Sequence, residues 1–247
     1  VYESTSPIFK IGEKVLVTGY DLGMNTNGGH AEFVKVPAAW VARIPDAITD
    51  KEIMTFGTAG LTAALSINEL ISNGIKTESG DILVTGATGG VGSIAISILS
   101  KLGYNIIAIS GKKEKSEYLK RIGANEVILR EDFLKISNKT LLSEKYAGVI
   151  DTVGGEAQAL KQIKYDGVAT CCGLTASHEL NTNVFPFILR GVRLIGIDSV
   201  ECKLEKKQLA WEKLASRWKI DNLSTIINEI SLNEIKDTYE LLLSGKA

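Results

Sequence analysis

The chain has 247 residues, 45% of them hydrophobic and 23% charged, and a formal net charge of −1. That length suffices for one large domain or two small ones with a substantial core. A near-neutral balance gives no general attraction to nucleic acid or membrane. No apolar run reaches the roughly 18 residues of a membrane span and no signal peptide opens the chain, so a cytoplasmic location is the default.

In chain order, residues 13–19 and 31–36 read as strands joined by a loop rich in Gly and Asn, with His30 at the entry to the second strand. Residues 37–46 carry Pro37 and Pro45 and read as connecting structure. A helical stretch follows from Asp50 to Ile71, interrupted near Gly57 and Gly60. From Asp81 the pattern alternates. Strands are expected at 81–85, 105–109, 147–151, 167–172 and 192–197, and helices at 90–102, 113–122, 155–164 and 203–219. A last helix is expected near 233–243. Strands separated by helices of this length predict an α/β fold, a doubly wound parallel sheet covered on both faces, preceded by the tail of a β-rich domain.

Residues 83–92 read Leu-Val-Thr-Gly-Ala-Thr-Gly-Gly-Val-Gly, an apolar strand running into a glycine-rich turn and then a helix. Gly86 and Gly89 suit a tight bend. Gly89 and Gly90 allow a pyrophosphate to approach the main chain, and Gly92 lets the helix pack on the strand. The free N–H groups of the helix N-terminus favour a phosphate. Val91, Ile94, Ala95, Ile98, Leu99 and Leu102 fall on one face of that helix, and Gly103 ends it. Dinucleotide binding and a plain strand-to-helix turn are the two readings, and the context on both sides favours the first.

The end of the next strand bears on which dinucleotide. An NAD site usually places Asp or Glu there for the ribose hydroxyls. This chain has Ser110-Gly111-Lys112-Lys113, with no carboxylate before Glu114. A hydroxyl, an open backbone and cations suit a 2′-phosphate. NADP(H) is therefore expected over NAD(H). The alternative is that Lys112 and Lys113 are solvated residues opening a helix.

Metal binding is not expected. Cys171, Cys172 and Cys202 lack the spacing of a zinc lobe, and His30 and His178 lie far apart in sequence. Cys171-Cys172 reads as part of a buried strand or its end, and His178 as loop. A short-chain reductase would need Tyr-x-x-x-Lys, but Tyr118 is followed at that spacing by Ile122.

Several stretches together resemble one family. They are Gly57 to Ala63 (GTAGLTA), Val84 to Gly92, Leu119 to Ala124 (LKRIGA), Ile150 to Gly154 (IDTVG), Phe185 to Arg190 (PFILR after Phe) and Gly196 to Ser199 (GIDS). They are similar to the medium-chain dehydrogenase/reductases, and within them to the zinc-independent quinone oxidoreductase group of YhdH/YhfP type, which includes acryloyl-CoA reductase. The resemblance covers almost the whole chain and implies a division into three parts. Residues 1–50 would belong to a partial GroES-like catalytic domain, 51–210 to an NADP-binding Rossmann domain, and 211–247 to a segment returning to the catalytic domain. It implies a small unsaturated carbonyl or quinone as substrate, and a homodimer formed through the Rossmann edge.

The resemblance also implies roles. Thr88, Gly89, Gly90 and Val91 would hold the pyrophosphate, and Ser110, Gly111 and Lys112 the 2′-phosphate. Relatives often carry Arg where Lys112 stands. Arg130 would lie near the adenosine end, unless it belongs to a surface cluster with Glu131 and Asp132. Leu174, Ile188 and Ser199 would line the nicotinamide side; the plain alternatives are core for the first two and a loop start for Ser199. Thr58 and Thr62 would border the ring and its phosphate, or merely cap and pack a helix. No catalytic acid stands out in the sequence.

The implied activity is hydride delivery from NADPH to an α,β-unsaturated carbonyl, such as an acryloyl-CoA-type thioester, or to a quinone. The alternative is an NADPH-binding module, or a fragment without turnover. That alternative follows from the ends. The chain begins Val1-Tyr2-Glu3, whereas the family's Asn-Tyr-Lys-Asp stretch would precede it. A Gly-Arg strand would follow the last helix, and Gly245 stands where relatives place Asn.

Overall fold

The structure, a computed structural model, describes residues 1–135, 139–155, 157–221 and 223–244. Two short strands, β1 (Val15–Val17) and β2 (Val41–Arg43), form an antiparallel pair. Helix α1 (Asp50–Ser72) then leads toward a central sheet. Thr49 starts it with a capping box: its hydroxyl accepts from the Glu52 N–H, and the Glu52 carboxylate accepts from the Thr49 N–H.

The central sheet has six parallel strands: β3 (Asp81–Val84), β4 (Ile106–Ser110), β5 (Glu126–Leu129), β6 (Tyr146–Asp151), β7 (Ile163–Cys171) and β8 (Arg193–Gly196). Their order is β5-β4-β3-β6-β7-β8. The chain therefore moves outward one way from β3, returns to its other side at β6, and moves outward the other way. That reversal is the switch point of a doubly wound fold, and ligands bind at the carboxyl ends of the strands beside it.

Alternate residues of the strands point to opposite faces, and each face has its own core. Ile82, Val84, Ile106, Ala108 and Ile150 pack with α1, with α2 (Gly90–Lys101) and with Trp211 and Leu214 of α7 (Leu204–Ala215). Leu83, Ile107, Ile109, Val149 and Ala169 pack on the other face, with Phe133 of the short helix α4 (Arg130–Leu134) and with Ala159 and Leu160 of α5 (Ala157–Leu160). Three further helices complete the fold: α3 (Ser116–Arg121), α6 (Phe185–Arg190) and α8 (Ile235–Leu243). No helix among the described residues is long and apolar enough to cross a membrane.

Several sequence expectations need correction. Residues 31–36 form no strand; Phe33 and Val34 are exposed, and no neighbouring strand supplies a ladder. His30 thus sits in a bend, not at a strand entry. The stretch 37–46 is more than connection, since it holds a 3-10 turn (Ala38–Trp40) and β2. Helix α1 is broken once, at Gly57, whose φ of +48° and ψ of −153° are not helical. Gly60 stays in the helix and makes room for Phe56; a Cβ there would lie 2.5 Å from the Phe56 Cβ. The helix expected over 155–164 is confined to Ala157–Leu160, because Ile163 already pairs with Tyr146 as the start of β7. The helix expected to 219 ends at Ala215. The elements β5, α4 and α6 lie where the pattern predicts none.

Candidate functional site

The glycine turn lies between the carboxyl end of β3 and the start of α2. Gly86 adopts a φ of +57°, and a Cβ there would lie 2.6 Å from Val153 Cγ1. Its carbonyl accepts from the Gly89 N–H, which closes the bend. Gly92 has no room for a side chain, since a Cβ would stand 2.5 Å from the Gly86 oxygen and 2.8 Å from Ala87 Cα. Gly89 and Gly90 are exposed, and Thr88 and Val91 half-buried. The first-turn N–H groups of α2 have no acceptor within the helix and open onto this exposed surface.

Helix α1 borders the turn through its break. A Cβ on Gly90 would lie 3.1 Å from the Ala59 Cβ. The kink at Gly57 therefore brings exposed Thr58 up beside the glycine turn. Thr62, one turn on, is buried, and its hydroxyl donates to the Thr58 carbonyl at 2.7 Å.

Across the switch point, the start of the loop after β6 is tied to the end of β3 by a buried network. The Thr85 hydroxyl donates to Asp151 Oδ1 at 2.7 Å and accepts from the Thr152 N–H. The Thr152 hydroxyl donates back to the Thr85 carbonyl. Asp151 Oδ1 also accepts from the N–H groups of Val153 and Gly154. Its charge is thus spent on shaping the crevice. Nothing in the spacing of Ile150 to Gly154 reveals that role, which needs the end of β3 beside it.

The second group of candidates gathers at the ends of β4 and β5. Ser110 closes β4, 1% exposed, and its hydroxyl accepts from the Lys112 N–H at 3.0 Å. This fixes the turn that exposes Gly111. Arg130 opens α4 directly after β5, and its guanidinium carbon would lie 3.4 Å from a Cβ on Gly111. A hydroxyl, an exposed backbone and a guanidinium therefore meet at one spot. Asp132, two residues on, is engaged by Lys135 at 3.0 Å.

The remaining candidates lie further along the sheet. Leu174 follows β7 and is 73% exposed, which rules out a core role. Its Cα would stand 3.1 Å from a Cβ on Gly154, so it borders the loop after β6. Ser199 follows β8 and is 9% exposed. Ile188 is likewise no core residue, at 68% exposed. It sits on α6, which ends at Gly191 just before β8 begins, and so lies toward the amino end of the sheet. The structure brings Thr58, the turn and Leu174 to the carboxyl-end crevice; it does not bring Ile188 there.

The cysteines are not activated. Burial pushes the Cys172 thiol up to about 12 and raises those of Cys171 and Cys202. Among the described residues, no group of three or more His, Cys, Asp or Glu is arranged to hold a metal. Gly245 lies outside the described residues.

Comparison with known proteins adds the following. The family model described as zinc-binding dehydrogenase matches residues 90–216. Bacillus subtilis YhfP, which carries a provisional quinone oxidoreductase name, is 44% identical over 100% of this chain and 77% of its own length. The acrylyl-CoA reductase AcuI of Ruegeria pomeroyi is 36% identical over 100% of this chain and 75% of its length. The yhdH oxidoreductase of Salmonella enterica, solved in complex with NADP, superposes with a TM-score of 0.96 at 37% identity, covering 100% of this chain and 76% of that one. YhfP, solved with NAD bound, gives a TM-score of 0.97 over 100% of this chain and 76% of its own.

Proposed function

The chain belongs to the medium-chain dehydrogenase/reductases, in the quinone oxidoreductase group of YhdH/YhfP type, and from that premise we propose that it is an NADPH-dependent reductase of α,β-unsaturated thioesters of the acryloyl-CoA kind. The observation that carries the cofactor reading is the meeting of Gly111, Ser110 and Arg130 at the end of β4, where an NAD site would present a carboxylate. Salmonella yhdH with its NADP supports the reading, and YhfP with its NAD makes the choice between cofactors the point to test.

The residues fit a dinucleotide. The exposed turn at Gly89 and Gly90 presents bare main chain to which a pyrophosphate can approach closely. The N–H groups opening α2 would receive the phosphate oxygens, with Thr88 and Val91 at the rim. Gly111, Lys112 and Arg130 would receive the 2′-phosphate, with Ser110 bracing their turn from beneath. Thr58 would flank the ring side of the crevice, and Leu174 and Ser199 its far wall. Bound there, NADPH supplies the hydride. The chain's part is to hold the acceptor carbon against that position, exclude water and offer donors to the carbonyl oxygen as charge develops on it. Backbone N–H groups would serve as those donors, and the proton would come from a cofactor hydroxyl or from solvent at the mouth of the cleft.

The name of YhfP favours a second reading, a quinone as acceptor in the same cleft. On this reading residues 1–50 belong to a partial GroES-like catalytic domain, 51–210 to the NADP-binding Rossmann domain and 211–247 to a segment returning to the catalytic domain. A homodimer belongs to the same reading, formed through the outer edge of β8, where Leu194 and the Phe185 and Leu189 side chains of α6 stand exposed. The test is NADPH and NADH consumption with acryloyl-CoA and with a simple quinone. Rapid NADPH oxidation with the thioester alone is the expected result; turnover only with quinone selects the second reading, and binding without turnover reduces the chain to a binding module.

A further inference from the structure

Lys207 lies in α7 at the end of the run Lys203-Leu204-Glu205-Lys206-Lys207, yet it is 1% exposed. Its ammonium donates to the carbonyls of Thr18 and Val200, each at 2.7 Å. It also stands 3.5 Å over the ring centroid of Tyr20, whose other neighbour is the stacked ring of Trp40. One cation thus joins three separate segments: the end of β1, the loop after β8, and α7.

The two loops it joins already touch. The Tyr20 N–H donates to the Val200 carbonyl at 3.2 Å. Gly19 passes so close that a Cβ would stand 2.8 Å from Val200 Cα. Tyr20 itself holds a φ of +55°, a conformation a bulky residue keeps only when its surroundings impose it. Val200 directly follows Ser199, and the Asp198 carboxylate accepts from the Val200 and Glu201 N–H groups, which braces the loop internally. Burial lowers the Lys207 pKa, which marks the ammonium as a costly occupant of a site an apolar side chain could fill. A buried charge is weak evidence for stability, and in some proteins such a group is kept for the geometry it fixes.

We infer that Lys207 is a positioning residue for hydride transfer: it locks the loop carrying Ser199 against the end of β1 and so sets one wall of the cleft. The inference rests on the reading of that cleft as a nicotinamide site. Lys207→Met keeps the stem and removes the charge, and Lys207→Arg returns a cationic donor. Hydrogen exchange should quicken in Lys207→Met within both 18–20 and 198–202, and stay unchanged at the glycine turn. The Kd for NADPH should stay within about threefold, because the phosphate contacts lie elsewhere, while kcat with the best acceptor falls about tenfold or more. Lys207→Arg should recover part of that loss.

Unchanged exchange in either loop overturns the clamp. A loss of NADPH affinity equal to the loss of kcat, or of melting temperature alone, overturns the positioning role. Should Lys207→Met not fold, Tyr20→Leu removes the ring beneath the ammonium and should loosen the same two segments to a lesser degree; no loosening there again overturns the clamp. A wild-type chain that neither binds nor oxidises NADPH refutes the cofactor reading and with it the positioning role, while the exchange pattern still decides the clamp.

Discussion

In the proposed cofactor site, Lys112 is a residue whose charge would bear on the choice between cofactors. It follows the turn braced by Ser110, beside the position over which Arg130 lies. Replacing it with Glu puts like charge next to a 2′-phosphate and has little to act on when that phosphate is absent. A charge-assisted contact is worth roughly 1.5–3 kcal/mol, so Lys112→Glu should weaken NADPH binding about ten- to a hundredfold. NADH binding should barely change. Titration of both cofactors checks this, and equal losses would remove Lys112 from the site. Gly92 makes a different demand. Any Cβ meets backbone atoms of Gly86 and Ala87, which cannot rotate away. Gly92→Ala should therefore cost about 1–3 kcal/mol in stability, the usual price of overpacking, read as a lowered urea midpoint. Gly90→Ala, facing only the Ala59 methyl at 3.1 Å, should shift that midpoint less.

At the scale of elements, the kink in α1 is what links a helix to the site. Gly57 holds backbone angles open to glycine alone, and straightening the helix there would withdraw Thr58 and Ala59 from the turn. Gly57→Ala should lower stability by about 1–3 kcal/mol and reduce NADPH affinity together with it; a melting temperature that falls with affinity unchanged would separate the kink from the site. The break near Gly57 was legible because glycine within an apolar helical pattern is a local signal, as was the turn at 86–92. The strand misread at 31–36 shows the limit: alternation alone does not make a strand when no partner lies beside it. Strand β5 was missed because it is four residues long, half-exposed at the sheet edge, and lacks an apolar run of core length. Without β5 the reason for Arg130 lying at Gly111 could not be seen, although the residue itself was a candidate. Lys207 was illegible for a plainer reason. A run of charged residues reads as a solvated face, and only the docking of α7 against β1 and the loop after β8 buries one of them.

For the whole molecule, buried acids that stay neutral predict how stability responds to alkali. Burial pushes the Tyr146 hydroxyl up to about 12, with Glu126 and Asp81 adding to it, and pushes the Cys172 thiol to about 12 as well. In the unfolded chain these groups ionise near their ordinary values of 10.0 and 9.0. Between those values and about 12 the unfolded state releases protons that the folded state keeps. Stability must then fall as pH rises, since the unfolded chain binds fewer protons. Lys207 acts in the opposite sense. Its pKa is lowered by burial, so the unfolded chain binds the extra proton and stability from this group rises as pH climbs toward 10.5. Above 10.5 the Lys207 contribution levels off, whereas both acids stay displaced up to about 12. Denaturant midpoints measured from neutral to strongly alkaline pH should therefore decline above about 10.5. Tyr146→Phe, which keeps the ring in the core, should flatten the decline above the ordinary tyrosine value while leaving the neutral midpoint nearly unchanged. A Tyr146→Phe curve parallel to wild type through that window would mean that the hydroxyl ionises in the folded protein as readily as in the unfolded chain, and that the base of the sheet around β6 is open to water.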